Sequence, residues 1–209
     1  MSGRSWGNRL WLTAAAASLS IALAQSAAGA GTVKGDAAAW AEIVAAFKKL
    51  ERVSYRTKMT SRDVTMIREF APPNSVHVVS QTPAGGTEII IVGTVYATRV
   101  PGDKWLCPQI PQETWKDTFF PKAGELPGDQ TVTVTRVQGL VIDGMPTRGY
   151  DYTFTNQVQG RPSTSHQKLY VGVQTGLPRR ASMEGDGYAS SIDYYDYGAK
   201  ITITPPSCS

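Results

Sequence analysis

The sequence predicts an α+β fold, in which a strongly curved, mostly antiparallel sheet forms an unclosed half β-barrel. One long helix and a helical loop are expected to pack on the concave face of that sheet. Two observations lead to this prediction. A single long segment has helical periodicity, whereas about ten later segments alternate apolar and polar residues with a period of two. The connections between these segments are short, which favours antiparallel neighbours over parallel strands joined by crossover helices.

The long helix is predicted over residues 37–52, after a flexible leader at residues 31–35 and with Asp36 as its N-terminal cap. Apolar residues recur there at helical spacing and form one wide stripe, while the charged residues lie on the opposite side. We therefore expect this stripe to face the core of the domain. It consists of Trp40, Ile43, Val44, Phe47 and Leu50.

Strands are predicted from residue 53 to residue 204, with one interruption. Turn sequences rich in Pro, Gly, Asp and Asn separate the period-two segments. The interruption, residues 105–128, holds four prolines and several aromatic residues, and we interpret it as an irregular loop with a short helix at residues 112–120. The predicted strands are residues 53–59, 63–70, 76–80, 88–92, 94–100, 131–137, 139–142, 148–155, 165–173, 179–184, 188–197 and 200–204.

Residues 1–30 are predicted to be a cleaved signal peptide. Arg4 and Arg9 begin it, and Ala28-Gly29-Ala30 fits the small-x-small cleavage rule, with a cut after Ala24 as the alternative. The apolar run between them has roughly 15 residues, fewer than the ~20 that a helix needs to cross a bilayer, and no cysteine follows it for lipid attachment. We expect residues 31–209 to be a single domain without an integral membrane anchor, periplasmic as first choice and secreted as second.

Cys107 and Cys208 are predicted to form one structural disulfide. Their number is even, the expected compartment is oxidising, and their spacing is not that of a Cys-x-x-Cys redox site. Two free thiols and an intermolecular bond are the alternatives. The intramolecular bond would join the C-terminus to the middle of the fold.

Charge and motif content argue against several classes of function. The formal charge is +4 and the basic residues are scattered, so nucleic acid is not an expected partner. The two histidines, His77 and His166, lack the spacing of a metal site, and no Gly-x-Ser-x-Gly elbow or phosphate-binding loop is present. We therefore expect no enzymatic activity, no metal and no cofactor.

Several loose motifs occur in an informative order. They are residues 70–76 (FAPPNSV), residues 89–96 followed by residues 102–105 (GDKW), residues 175–180 (TGLPRR), and residues 194–198 (YYDYG) leading into residues 201–206 (ITITPP). Together they resemble the LolA/LolB-like family of periplasmic lipoprotein and lipid carriers over most of residues 36–206. The strand after Pro73 departs from that family, since it carries Ser75 and His77 where many relatives carry arginine.

The resemblance implies an unclosed barrel that holds acyl chains between its sheet and its helices. The helix and loop are expected to leave the concave face incompletely filled, so that an apolar ligand completes it. Bulky aromatic and methionine side chains are predicted to line this site because they repack at low strain, with ordinary core packing as the alternative. The predicted lining is Trp40, Phe47, Met59, Met66, Tyr96, Trp105, Trp115, Phe119, Tyr152 and Phe154.

The predicted function is that of a soluble periplasmic carrier for a lipid or for the acyl chains of a lipoprotein. It would act passively, by shielding the chains from water and releasing them when the helix-and-loop cover opens. The alternative is a non-enzymatic envelope sensor or interaction module that binds a protein partner through the outer sheet face or an exposed last strand. A hydrolase of envelope polymers, using His77 or His166, is a third alternative.

Overall fold

The computed structural model describes residues 31–120, 126, 130–158, 161–185 and 188–208, so the predicted signal peptide lies outside the described residues. These residues form two helices and one sheet of twelve strands. The helices are α1 (Ala37–Leu50) and α2 (Gln112–Phe119). The strands are β1 (Thr32–Gly35), β2 (Tyr55–Ser61), β3 (Thr65–Ala71), β4 (Ser75–Thr82), β5 (Gly85–Val92), β6 (Val95–Arg99), β7 (Thr131–Val137), β8 (Val141–Ile142), β9 (Met145–Val158), β10 (Arg161–Gly172), β11 (Pro178–Gly185) and β12 (Tyr188–Tyr195).

The sheet is unclosed and almost entirely antiparallel. Its strands lie in the order β1-β7-β9-β10-β11-β12-β2-β3-β4-β5-β6, and β8 pairs with β9 beside this path. The one parallel pair is β1 with β7. The edge strands β1 and β6 do not pair with each other in the described part of the chain. Both helices cover one face, here called the inner face, so the predicted half-barrel with a helical cover is confirmed.

The pairing of β12 with β2 joins two meanders into this one sheet. Strands β2 to β6 form the first meander, and β7 and β9 to β12 form the second. In the register of the junction, Ile192 lies opposite Met59, which in turn lies opposite Met66. Ile192 and Met59 are both buried. The inner faces of the two meanders are therefore continuous across the junction.

Helix α1 begins and packs as its sequence predicts. The side chain of Asp36 accepts a hydrogen bond from the backbone N–H of Ala39 at 2.9 Å, which caps the first turn. Ala39, Ile43, Ala46 and Leu50 are buried against the sheet. The helix ends at Leu50 rather than at residue 52, with two lysines in its last turn.

No helix of the described residues is long and apolar enough to span a bilayer.

The expected flexible leader, residues 31–35, is instead mostly strand β1. It pairs in parallel with β7, from Thr32 opposite Thr131 to Gly35 opposite Val134. Without β1, strand β7 would be a bare sheet edge with unpaired backbone groups. Gly35 has a φ of +79°, and a Cβ added there would lie 2.3 Å from the backbone oxygen of Val134. Glycine is therefore needed at this position for packing, and it does not mark a flexible segment.

Of two other predicted strands, one is absent from the structure and one is shorter than predicted. Residues 200–204 form no strand, although their alternating sequence predicted one. Both edges of β12 are occupied, by β11 and β2, so a following segment finds no free edge next to it. The alternative function that relied on an exposed last strand loses its basis for the same reason. Of residues 139–142, only Val141–Ile142 pairs in the sheet.

The predicted disulfide between Cys107 and Cys208 is confirmed. The two Cα atoms lie 5.8 Å apart, within the range of natural disulfides, and 101 positions separate them in the sequence. The bond ties the C-terminal segment to the connection that follows β6. Residues 200–208, which do not pair in the sheet, are thereby anchored covalently.

We expect the double substitution Cys107→Ser and Cys208→Ser to lower the free energy of unfolding by roughly 2–5 kcal/mol, because the disulfide restricts a long loop in the unfolded chain. Urea denaturation of the oxidised wild-type protein and of the variant measures the difference. Ser207→Ala, an exposed neighbour, is the control. Equal denaturation midpoints, or two alkylatable thiols in the unreduced wild-type protein, would contradict this prediction.

Candidate functional site

The inner face carries three connected clusters of buried side chains. Phe47 packs against both the α1 cluster and the middle cluster, and Met66 and Phe120 pack against both the middle cluster and the α2 cluster. The α1 cluster is Ala39, Ile43, Ala46, Leu126, Val132, Val134, Tyr150, Tyr152, Phe154, Leu169 and Val171; the middle cluster is Leu50, Tyr55, Met59, Phe70, Leu177, Ile192 and Tyr194; and the α2 cluster is Val76, Val78, Ile91 and Trp115.

Helix α1 is fixed to the second meander by a polar network. The carboxylate of Glu42 accepts hydrogen bonds from the Arg136 guanidinium at 2.9 and 3.1 Å and from the Tyr150 hydroxyl. Arg136 also donates from Nε to the cap residue Asp36 at 2.9 Å. The hydrogen bonds from Arg136 and Tyr150 lower the pKa of Glu42 to about 2. Burial, followed by the Glu42 carboxylate, raises the pKa of Tyr150 to about 12.

Helix α2 covers the first meander with aromatic side chains. The ring of Tyr96 lies 6.2 Å from Trp115 and 6.4 Å from Phe119, measured between centroids. Phe120, the residue after the helix, lies 6.3 Å from Trp115 and 6.1 Å from Phe70. These contacts place the helix over β3 to β6 and bury Trp115 almost completely.

Compared with α1, helix α2 has few polar contacts with the sheet among the described residues. Its N-terminal flanking residue, Pro111, provides no side-chain cap. Among the described residues, one polar contact joins α2 to the sheet, in which Nη2 of Arg68 donates to the backbone carbonyl of Phe119. The two covers of the inner face therefore differ, since α1 is held by a charged network and α2 mainly by apolar contacts.

Arg68 lies on the inner face of β3, among buried neighbours. It stands opposite Thr57 on β2 and Val78 on β4, and both of these side chains are buried. Its Nε atom is buried without a hydrogen-bond acceptor, and so is Nε1 of Trp115 in the α2 cluster. Two buried N–H donors near α2 thus lack partners, which is costly unless an acceptor arrives.

Sequence reasoning missed Arg68. The available signal was its position, because it shares its strand face with Met66 and Phe70, two residues away on either side. A charged residue in the apolar phase of a strand departs from the pattern. The family resemblance instead predicted a basic residue one strand later, at the positions of Ser75 and His77.

Among the described residues, the protein's own side chains fill most of the inner face, which departs from the expected incomplete cover. The aromatic residues of the sheet itself, Tyr150, Tyr152 and Phe154, occupy the space under α1. A cleft over β9 to β12 offers an accessible volume of about 10 Å³, room for about one water molecule. It is lined by Tyr152, Gln167, Ala181, Ser182, Met183, Ser190, Ile192 and Tyr194.

The structure brings nine of the ten predicted lining residues onto the inner face. Trp105 is the exception, since it lies against Arg99, whose Cζ atom is 4.4 Å from the ring centroid. The other nine belong to or pack against the three clusters: Trp40, Phe47, Tyr152 and Phe154 in the α1 cluster, Met59 and Met66 in the middle cluster, and Tyr96, Trp115 and Phe119 in the α2 cluster.

The outer face of the first meander carries a ladder of charged side chains. In this ladder, His77 bridges two glutamates with its two ring nitrogens. The ladder joins neighbouring strands on the outer face. No group of three or more His, Cys, Asp or Glu among the described residues is arranged to hold a metal ion. Its contacts are Asp196–Arg56 at 2.8 Å, Arg56–Glu69 at 2.7 Å, Glu69–His77 at 3.1 Å, His77–Glu88 at 2.9 Å and Glu88–Arg99 at 2.7 Å.

The fold and this inner face define a class of protein, an unclosed antiparallel half-barrel with helices packed on one face. Two crystal structures share the fold. The lipoprotein LppX of Mycobacterium tuberculosis has a TM-score of 0.58 and 14% sequence identity over 81% of this chain and 100% of its own. LprF from Mycobacterium bovis has a TM-score of 0.52 and 15% identity over 86% of this chain and 100% of its own.

At these identities the likeness is one of fold. No protein-family model matches the chain, and no curated protein matches its sequence.

We expect Glu42→Gln to destabilise the protein by about 1 kcal/mol near neutral pH, because the amide loses its charge-assisted hydrogen bonds with Arg136 in a partly exposed site. The folded-state pKa of Glu42, about 2, lies below its ordinary value of 4.5. Its stabilising effect is therefore complete above about pH 4.5 and is lost as the pH falls toward 2.

Thermal denaturation of both proteins between neutral pH and pH 2 tests this prediction. The stability difference should shrink through that window. The exposed Glu113→Gln on α2 is the matched control and should follow the wild type. A difference that stays constant down to pH 2 would contradict the assignment to Glu42.

Proposed function

We propose that this protein binds the acyl chains of a lipid or lipoprotein on its inner face and carries them through the periplasm. In this proposal residues 1–30 direct export and are removed, and residues 31–209 act as one soluble, non-enzymatic domain. One observation supports it most, namely the unequal attachment of the two helices. A cover held mainly by apolar side chains can be exchanged for an apolar ligand, whereas α1 stays in place.

The magnitudes are compatible with such an exchange. Full burial of a large apolar side chain is worth about 1.5–3 kcal/mol, so Trp115 and the half-buried Phe119 and Phe120 together contribute at most roughly 5–9 kcal/mol to closure. Each buried methylene of an acyl chain contributes about 0.8 kcal/mol, so roughly ten methylenes supply a comparable amount. Ordinary membrane acyl chains are longer than this. A single chain therefore suffices to compete with α2 for the inner face.

The surface beneath α2 suits an apolar chain. Val76, Val78 and Ile91 form an aliphatic floor, and Met66 lies at its boundary with the middle cluster. A thioether side chain repacks at low strain and adapts to chains of different shape. Release of the chain would follow when α2 returns, without any covalent step.

We expect Phe119→Ala to increase the affinity for a fluorescent fatty acid by about tenfold, because removal of this half-buried ring weakens the closed state by about 1.4 kcal/mol. Fluorescence titration of delipidated protein measures the dissociation constants. Trp105→Ala, an aromatic substitution away from the inner face, should leave the affinity unchanged. Native mass spectrometry of protein from its own periplasm should show bound lipid. An always empty protein that takes up no probe would refute the proposal.

Binding of an envelope protein is the second candidate function. Val100, Leu106 and Ile110 are exposed beside the β6 edge, with Leu106 at 59% exposure. Exposed aliphatic side chains next to a sheet edge favour association with another chain. A pull-down from the envelope that yields one stoichiometric protein and no lipid would favour this function over the carrier.

A further inference from the structure

Arg68 is exceptional among the arginines of this protein. The other partly or fully buried arginines in the described residues each contact a carboxylate, as with Arg179–Asp143 at 3.0 Å and Arg180–Asp193 at 2.6 Å. Arg68 forms no ion pair with any carboxylate that the structure describes. Its one described partner is a neutral carbonyl, that of Phe119. A guanidinium in such surroundings keeps an uncompensated positive charge on the inner face.

Two buried donors in the described surroundings of Arg68 have no hydrogen-bond partner. Its own Nε and the indole Nε1 of Trp115 are both buried and unpaired. The two residues are close in the fold, because Val78, the cross-strand neighbour of Arg68, packs in the same cluster as Trp115. When α2 and Trp115 leave the sheet, a group with several acceptor atoms and a negative charge is the chemistry that satisfies the donors of Arg68.

The charge of Arg68 reaches across the inner face. Burial raises the pKa of Tyr55 and of Tyr194, and the positive charge of Arg68 opposes that rise in both cases. Both tyrosines belong to the middle cluster, on the route between the two helices. An anionic group entering there would therefore be attracted toward Arg68.

We propose that Arg68 binds the acidic group of the ligand, so that the ligand class is an acyl chain bearing a carboxylate or a phosphate ester. This inference rests on the proposed function. When α2 leaves the sheet, the Phe119 carbonyl leaves Arg68 with it, and the anion replaces the carbonyl. The exchange is favourable because a charge-assisted, bidentate pair is stronger than a hydrogen bond to a neutral carbonyl.

The test compares a fluorescent fatty acid with its methyl ester, at a pH where the acid is ionised. We expect the wild-type protein to bind the acid about tenfold more tightly than the ester, as one charge-assisted contact implies. Arg68→Met should abolish this preference, because the variant lacks the cation that distinguishes the acid from the ester. Arg68→Lys should retain part of it, and the exposed Arg62→Met should retain all of it.

One further arm completes the test. Phosphatidylglycerol and neutral diacylglycerol serve as competitors, and displacement by the former alone assigns a phosphate ester as an accepted head group. Displacement by neither lipid, with acid preference intact, assigns the carboxylate.

The outcomes separate the two proposals. Equal affinity of the wild-type protein for acid and ester would overturn the role of Arg68 and leave the carrier function standing. The same holds if Arg68→Met keeps the preference. If the wild-type protein binds neither probe, both proposals fail. The comparison within the wild-type protein decides even if Arg68→Met does not fold.

Discussion

The hydrogen-bonded pairing of β12 with β2 is the contact on which the rest of the structure depends. Each meander by itself would expose one apolar face, and each helix covers mainly one of them. The pairing places Ile192, Met59 and Met66 in one row, so that the two faces become one inner surface. With β11 on the other side, this pairing leaves β12 no free edge. The C-terminal segment consequently cannot extend the sheet and is held by the disulfide instead.

The difference between the two helices follows from their places in the chain. Helix α1 lies between β1 and β2, so sheet pairing constrains the chain on both sides of it. Helix α2 lies in the long connection between β6 and β7, residues 100–130. The network of Glu42 therefore adds polar contacts to a helix that the chain already holds close. Helix α2 depends on its aromatic side chains and on one described polar contact with the sheet.

Most of the architecture was predictable because it is a local property of the sequence. The α1 stripe, the Asp36 cap and the strand at residues 131–137 follow from periodicity and capping chemistry that neighbouring residues determine. The failures depend on partners far away in the chain. Strand β1 exists because β7 offers an edge, and residues 200–204 are not a strand because β12 offers none. No local pattern contains that information.

The candidate site likewise has residues that could be predicted from the sequence and features that could not. Aromatic and methionine residues could be identified as inner-face residues from type and spacing, and nine of ten are on that face. Trp105 could not be separated from them, because its position depends on the course of an irregular loop and on a contact with Arg99. The close packing of the inner face could not be predicted either. The alternation of apolar and polar residues does not show how completely their side chains fill a space.

Closure and cargo would compete for the same group on the inner face. With α2 in place, the Phe119 carbonyl is the one described partner of Arg68. A guanidinium satisfied by one neutral acceptor has part of its hydrogen-bonding capacity unused. An arginine with all of its N–H groups bonded to α2 would hold that helix firmly on the sheet. An apolar residue in place of Arg68 would not orient an entering acyl chain. Under the proposed function, partial satisfaction of Arg68 would leave the closed state stable with α2 in place and yet open to exchange for an acidic lipid, which is what reversible carriage would require.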